Sequence, residues 1–398
     1  MVICEKNRCT GCSACMAVCP KTCISMADDE KGFPYPSIND TCVECGLCQN
    51  VCPQNHDSMK YCNDGVVAIY AAFTKDKDIR ADSSSGGIFS ELAIEVIRKG
   101  GIIFASRFSE DQKTLLFGSC EDIHGLSDYM GSKYVQSHPE YIYKDVKKEV
   151  ITGRNVMFVG TACQVAGLKA YLGKNYPNML FVDIICHGVP SPKLWKDYLG
   201  MLEREYGDNA KDISFRYKKP SWTQFSLKVD FRHGGHVIKS KFDDPYLISF
   251  LKEISLRENC YCCPYTSTNR TGDITLADFW GYKSTEFKMR NTEKGISLVL
   301  VNTEKGTDWF SCIKDRINWT EKGLKEAMSG NRSLKAPWKK NENAEAFWNV
   351  YINEGNLDKA LTDFCRPYRF PKKMKINWFI LNHLYLVPKP ILRKKGLL

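Results

Sequence analysis

The sequence predicts a mixed α+β and α/β protein: a small cysteine-rich unit, then a larger α/β core, then a basic, partly helical C-terminal tail. Three observations carry this. A four-cysteine pattern occurs twice within the first 53 residues. Between residues 155 and 206, apolar runs of strand length alternate with helix-start signals. The excess of basic residues is confined to the stretch from Arg366 onward.

The cysteine-rich unit comes first. Cys9, Cys12, Cys15 and Cys19-Pro20 form C-x-x-C-x-x-C-x-x-x-C-P, and Cys42, Cys45, Cys48 and Cys52-Pro53 repeat it 33 residues later. A doubled run of this kind is the ligand pattern of a ferredoxin with two [4Fe–4S] clusters. A cubane has four iron corners, each needing a thiolate. Three cysteines two residues apart let one loop wrap three corners, and the fourth cysteine of each run serves the other cluster. One cluster is therefore expected on Cys9, Cys12, Cys15 and Cys52, the other on Cys42, Cys45, Cys48 and Cys19. Zinc prefers four ligands in two separated pairs, which suits this pattern poorly. Disulfides belong to secreted proteins, and the N-terminus lacks the basic-then-apolar profile of a secretory signal.

Of the nineteen cysteines, ten lie in the first 52 residues, and a reducing cytoplasm is the expected setting for so many thiolates. No apolar run reaches the roughly 18 residues of a membrane-spanning helix. The net charge of +10 invites a nucleic-acid reading until it is located. From Arg366 to Leu398 there are nine Lys or Arg and no Asp or Glu, while the rest of the chain carries 47 basic and 46 acidic side chains. The body is electrically ordinary, so nucleic acid is not its expected partner.

Residues 1–60 form the two-cluster unit, and Asp57 to Gly65 reads as a polar linker. Val66 to Phe73 is a short apolar run, expected as a buried strand. Ser83-Ser84-Ser85-Gly86-Gly87 then opens a helix with Ile88, Leu92 and Val96 on one face, ended by Lys99-Gly100-Gly101. Small residues opening a helix leave backbone N–H groups free for a nucleotide or flavin phosphate, and equally describe a plain serine-capped helix. Gly131 to Ser137 is irregular and offers a cation, Lys133, among hydroxyls; a solvated loop has the same composition.

Asn155 to Gly160 reads as a buried strand. Thr161 and Gln164 have capping-box spacing, which places Cys163 in the first turn of the following helix, where the positive helix end favours a thiolate. A second strand, Leu180 to Ile185, leads into Cys186-His187-Gly188, and Ser191-Pro192 starts another helix. Strand–helix–strand–helix implies parallel strands, with Cys163 and Cys186 leaving the sheet at its carboxyl edge. Strand-like runs follow at Ile213–Tyr217, Phe225–Phe231 and His236–Lys241, the second alternating as a one-sided antiparallel sheet does. Cys260 and Cys263 make a C-x-x-C pair, half a metal site, for which Cys163 and Cys186 are candidates for the other half. A cluster, a zinc site and a set of buried reduced thiols all fit that spacing. Cys186-His187 is a poor nucleophile pair, because adjacent strand residues point to opposite faces.

Residues 296–302 look like a core strand followed by a helix, and Lys339 to Asn353 has helical character. Ile376 to Val387 is apolar but only twelve residues long, too short to span a bilayer. With Trp378, Tyr385 and the surrounding Lys and Arg, it suits either peripheral contact with an anionic membrane surface or packing on the body or a partner.

Gly160-Thr161-Ala162-Cys163-Gln164, Cys186-His187-Gly188, the pair at Cys260 and Asp278-Phe279-Trp280-Gly281 together resemble the beta subunits of coenzyme F-420 hydrogenases and dehydrogenases, here behind a fused ferredoxin. The resemblance spans about residues 66–320. It implies an FAD protein with a [4Fe–4S] cluster in its core. Cys163, Cys186, Cys260 and Cys263 become ligands of a third cluster, and Ser85, Gly86, Gly87 and Lys133 the FAD phosphate contacts. Cys262 interrupts the pair, Ala162 stands where the family often has proline, and Asp278 matches a recurrent aspartate to which no role is attached.

The implied division is a ferredoxin domain at 1–60, a flavin-binding N-terminal region of the beta subunit at 66–150, its C-terminal region with the third cluster at 151–330, and the tail at 331–398. The implied activity is an iron–sulfur flavoprotein oxidoreductase, passing electrons between clusters and FAD, to or from a two-electron substrate. Its partners are a redox protein or a small electron donor or acceptor. The resemblance leaves that substrate open: a deazaflavin coenzyme, or a metabolite of a polysaccharide pathway, in which case the tail rests on the inner membrane surface. Distant relatives reduce a chlorophyll intermediate. The alternatives are an electron-transfer subunit with no substrate site of its own, and a non-redox cluster protein.

Overall fold

The computed structural model of the chain describes residues 1–283, 289–290 and 292–366. At the N-terminus, α1 (Ala14–Val18), the hairpin β1 (Ile24–Asp28) and β2 (Pro34–Ile38), and α2 (Leu47–Val51) make the cysteine-rich unit. The 33-residue repeat extends to the backbone. Gly11 and Glu44 take φ of 69° and 53°, and Ser13 and Gly46 take 64° and 75°. Each loop thus makes two left-handed turns before its helix, and in each copy one of the two falls on a residue with a side chain, Ser13 or Glu44, a conformation such residues seldom adopt.

The core begins with β3 (Ala68–Thr74), α3 (Lys77–Asp82), α4 (Ile88–Arg98), β4 (Ile102–Phe108) and β5 (Leu115–Cys120). It continues through α5 (Ile142–Ile151), β6 (Val156–Thr161), α6 (Ala162–Leu172), β7 (Met179–Ile184) and α7 (Pro192–Tyr206). The expected caps are present. Thr161 and Gln164 form a capping box at α6, and the Ser191 hydroxyl accepts from the Leu194 N–H with Pro192 opening α7. A separate antiparallel sheet, β8 (Ala210–Tyr217), β9 (Ser226–Phe231) and β10 (His236–Ser240), leads to α8 (Pro245–Leu251). Then come β11 (Ile274–Asp278), β12 (Ser297–Val301), α9 (Glu304–Ser311), β13 (Ile317–Glu321), α10 (Leu324–Gly330), α11 (Ala344–Trp348) and α12 (Leu357–Phe364).

The main sheet has eight strands in the order β13-β3-β12-β11-β7-β6-β4-β5. β11, β7, β6 and β4 are mutually parallel, as the strand–helix pattern implies. β12 runs antiparallel between β3 and β11, and so gives β3 the same direction as that parallel group. Strands from residues 66–150 and 151–330 therefore interleave in one sheet. One face packs against α4 and α9 through Ile88, Leu92, Val96 and Phe310; the other packs against α5 and α6 through Tyr143, Val146, Val165 and Leu168. Each such side chain contributes roughly 1.5–3 kcal/mol by leaving water.

The ferredoxin unit docks on the α6 side, where Ala14 and Ala17 join the same apolar cluster. Gly167 lies at that contact, and a Cβ there would sit 2.9 Å from Cys12 Sγ and 3.0 Å from its Cβ. Residues 331–366 differ from the expected tail. Phe347, Trp348, Tyr351, Leu361 and Cys365 are buried in one apolar cluster with α7, α8 and the three-stranded sheet, a long-range contact that local composition does not announce. The rest of the predicted tail, including Ile376–Val387, Trp378 and Tyr385, lies outside the described residues.

Candidate functional site

The thiols gather into three groups. Cys9, Cys12, Cys15 and Cys52 line one cavity. Cys42, Cys45, Cys48 and Cys19 line a second. The fourth cysteine of each run thus stands in the cavity of the other run, because each loop's Cys-Pro end returns beside its neighbour. Each cavity also has a fifth thiol that the spacing pattern leaves out: Cys4 in the first and Cys23 in the second, the latter with its Sγ 3.3 Å from Cys19 Sγ. Among the described residues no three metal-binding side chains converge closely enough for a single ion. The thiols surround cavities instead, and soft thiolate donors arranged this way suit an iron–sulfur cluster.

The third group is in the core. Cys163 is the second residue of α6, at the carboxyl end of β6; Cys186 follows β7; Cys260 and Cys263 come from the turn after α8. The four thiols are electrostatic neighbours of one another. Cys262 is exposed, with its thiol directed at the Asn259 carbonyl at 3.6 Å, so the interruption does not disturb the pair. His187 turns away, as neighbouring residues should. Its ring lies against Trp338 and Phe250, and its Nε2 is 3.2 Å from the Glu253 carboxylate.

At the start of α6 the Cys163 backbone N–H favours the thiolate, but burial, then the neighbouring Cys263, outweighs it and pushes the thiol up to about 11. Burial likewise pushes Cys12 and Cys186 up to about 12 and Cys263 up to about 11. A partial dipole charge is small against desolvation at these depths. Iron ligation is the kind of compensation that holds such thiols deprotonated.

The helix α4 begins where β3 ends, at the same carboxyl edge. The Gly86 N–H donates to Ser297 Oγ at 3.0 Å, its carbonyl accepts from the Thr74 N–H at 2.8 Å, and a Cβ at Gly86 would meet the Ala72 carbonyl at 2.4 Å. Gly87 has φ of 85° at the helix N-cap. These glycines are required by close backbone packing, whatever else they hold. The Ser85 hydroxyl is buried with no hydrogen-bond partner among the described residues, the kind of orphaned group that a bound ligand satisfies. The Gly131–Lys133 loop joins this one through the Ser132 N–H to Ser84 Oγ at 2.5 Å. Lys133 donates to the Met130 and Gly131 carbonyls, and burial pushes its ammonium down to about 8.

Sequence reasoning missed the cations beside this loop. Lys218 donates to the carbonyls of Arg80, Ser85 and Lys294, and burial, then Arg80 and Arg216, pushes it down to about 7. Arg216 is nearly fully buried and forks onto Asp278 at 2.6 and 3.2 Å, while the Trp222 indole donates to the same carboxylate at 2.6 Å. Trp222 in turn stacks on Trp280 at 4.8 Å. That gives Asp278 a role: either charge alone, at this depth, would cost several kcal/mol. The only local signal was Phe215-Arg216-Tyr217-Lys218 at the end of a strand, which alternation alone does not single out.

Eight crossed ferredoxin-type thiols beside a four-thiol site at a sheet edge define an iron–sulfur electron-transfer protein. Residues 8–56 match the family described as a 4Fe-4S dicluster domain, and residues 153–326 match the family described as the C terminus of the beta subunit of coenzyme F420 hydrogenase/dehydrogenase. Residues 153–326 are thus similar to the C-terminal part of those beta subunits, and a dicluster match precedes them. The second match includes all four core cysteines and Asp278, and begins after Ser85–Gly87 and Lys133. No curated protein matches the sequence. Among solved structures, a chain in the xenon-derivatised F420-reducing [NiFe] hydrogenase complex from Methanosarcina barkeri is 16% identical, with a TM-score of 0.45, over 78% of this chain and 98% of that one. Among the described residues no helix is long and apolar enough to cross a membrane.

Proposed function

We propose that this chain is an iron–sulfur flavoprotein oxidoreductase, passing electrons through two ferredoxin clusters and a core cluster to or from FAD and a two-electron substrate. The observation that carries this is continuity. α6 holds Cys163 in its first turn and touches Cys12 of the ferredoxin unit through Gly167, and the Ser85 loop lies at the same sheet edge, at the end of β3, with three strands between β3 and β6. A flavin supplies the exchange between one-electron carriers and two-electron chemistry.

In this reading Cys9, Cys12, Cys15 and Cys52 hold the inner ferredoxin cluster, Cys42, Cys45, Cys48 and Cys19 the outer one, and Cys163, Cys186, Cys260 and Cys263 the core cluster. The Ser85 hydroxyl and the first N–H groups of α4 bind phosphate, and Lys133 adds charge while protonated, which holds below about pH 8. Tyr265 is buried with Ala162 and Ala166, against Cys163 and Cys263, and is an electrostatic neighbour of Cys12 as well. A redox partner protein is supported by apolar exposure around the outer cluster: Val43 is 59% and Leu47 42% exposed, beside the exposed Cys45. That patch also favours the second reading, an electron-transfer subunit whose substrate site lies on its partner. A deazaflavin coenzyme and a polysaccharide-pathway metabolite are the substrate candidates to assay.

The test is the order of reduction. Mixed anaerobically with a one-electron donor, the loaded chain should lose its iron–sulfur absorbance first and its flavin absorbance second. Flavin that stays oxidised while every cluster is reduced would contradict the proposal.

A further inference from the structure

Arg257 is 1% exposed and lies between the ferredoxin unit and the core thiols. Its Nε donates to the Cys9 carbonyl at 2.8 Å, one terminal nitrogen to the Pro34 carbonyl at 3.1 Å, and the other to Gln136 Oε1 at 3.1 Å. The guanidinium lies 4.1 Å from the Tyr35 ring centroid. Its own backbone opens the turn that carries Cys260, whose N–H donates to the Arg257 carbonyl at 2.9 Å.

No carboxylate faces it among the described residues. Arg216 and Arg270, also buried, each have one: Asp278 at 2.6 Å and Asp183 at 3.2 Å. A buried guanidinium held only by neutral acceptors is costly and calls for an anion nearby. The anions in reach are thiolates. Arg257 touches one residue of each set: its guanidinium holds the Cys9 carbonyl of the ferredoxin unit, and its own carbonyl holds the Cys260 N–H of the core set. Gly11 leaves the room for this: a Cβ there would sit 2.5 Å from Gln136 Nε2 and 3.2 Å from an Arg257 terminal nitrogen.

We propose that Arg257 is the shared counter-charge of the inner ferredoxin cluster and the core cluster. It holds the two anionic centres against each other and raises the reduction potential of both, because a fixed positive charge favours the more negative, reduced state of each. The outer cluster, on Cys42, Cys45, Cys48 and Cys19, lies beyond its contacts. This rests on the three-cluster reading above.

The experiment is an EPR-monitored redox titration of the anaerobically purified full chain, with iron counted in the same samples. Arg257→Gln removes the charge. Gln136→Glu sets a carboxylate against the guanidinium with little change of shape, and decides the matter if Arg257→Gln does not fold. Each folded variant should lower the midpoint potentials of the inner and core clusters and leave the outer one in place, while Arg257→Lys keeps most of the wild-type values. Full iron content with unmoved potentials overturns the proposal and leaves Arg257 a docking residue satisfied by carbonyls. A wild-type chain that holds only the ferredoxin iron sinks the core-cluster reading instead, and the inner potential still tests Arg257.

Discussion

Replacing Cys260 with serine should remove about four of about twelve irons and stop electrons from reaching the flavin. Cys260 neighbours the other three core thiols, and its own thiol is pushed well above the ordinary range by burial and then by Cys186 and Cys263. With one of its four thiolates gone the core cubane is no longer held, so all of its irons are expected to leave. The ferredoxin thiols belong to separate cavities, so their iron should remain. Iron analysis and reduction of the flavin by a one-electron donor check both halves. Cys262→Ser is the control, since that thiol is exposed and directed at a carbonyl. Loss of iron from Cys262→Ser with none from Cys260→Ser would reverse the assignment of the pair.

The second large effect concerns crossed ligation. Removing Cys19 should destroy the cluster on Cys42, Cys45 and Cys48, and spare the one on its own loop. Cys23 complicates the single substitution, because its Sγ lies 3.3 Å from that of Cys19 and is within reach of the same iron corner. Cys19→Ser/Cys23→Ser is therefore the informative variant, with a loss of about four irons and of one ferredoxin EPR signal. The mirror variant is Cys52→Ser/Cys4→Ser, since Cys4 lines the inner cavity with Cys9, Cys12 and Cys15. If each double variant lost the cluster of its own loop, the crossed arrangement would be wrong.

What the sequence made legible is local and periodic. The doubled cysteine run, the capping box at Thr161 and Gln164 and the serine–proline start of α7 are short-range patterns with one physical meaning each, and the structure follows them. The parallel strands β6 and β7 followed from the same kind of pattern. What was not legible is long-range. β12 inserts between β3 and β11, joining residues more than 200 positions apart in one sheet. The Arg216–Asp278 fork joins residues 62 positions apart. Arg257 reads in sequence as one more basic residue, and only its burial against Cys9 sets it apart. Residues 331–366 are expected as part of the tail, yet Phe347, Trp348, Tyr351, Leu361 and Cys365 complete a core cluster. The resemblance points to Lys133 as the cation of this loop, whereas the lysine that touches the Ser85 backbone is Lys218.

The most direct test of the central claim is cofactor content after anaerobic purification: iron per chain, and the absorbance of flavin released by acid denaturation. Three clusters and one flavin predict about twelve irons and one FAD per chain. About eight irons and no flavin would contradict the account, leaving a ferredoxin joined to a domain whose four buried thiols serve some other end.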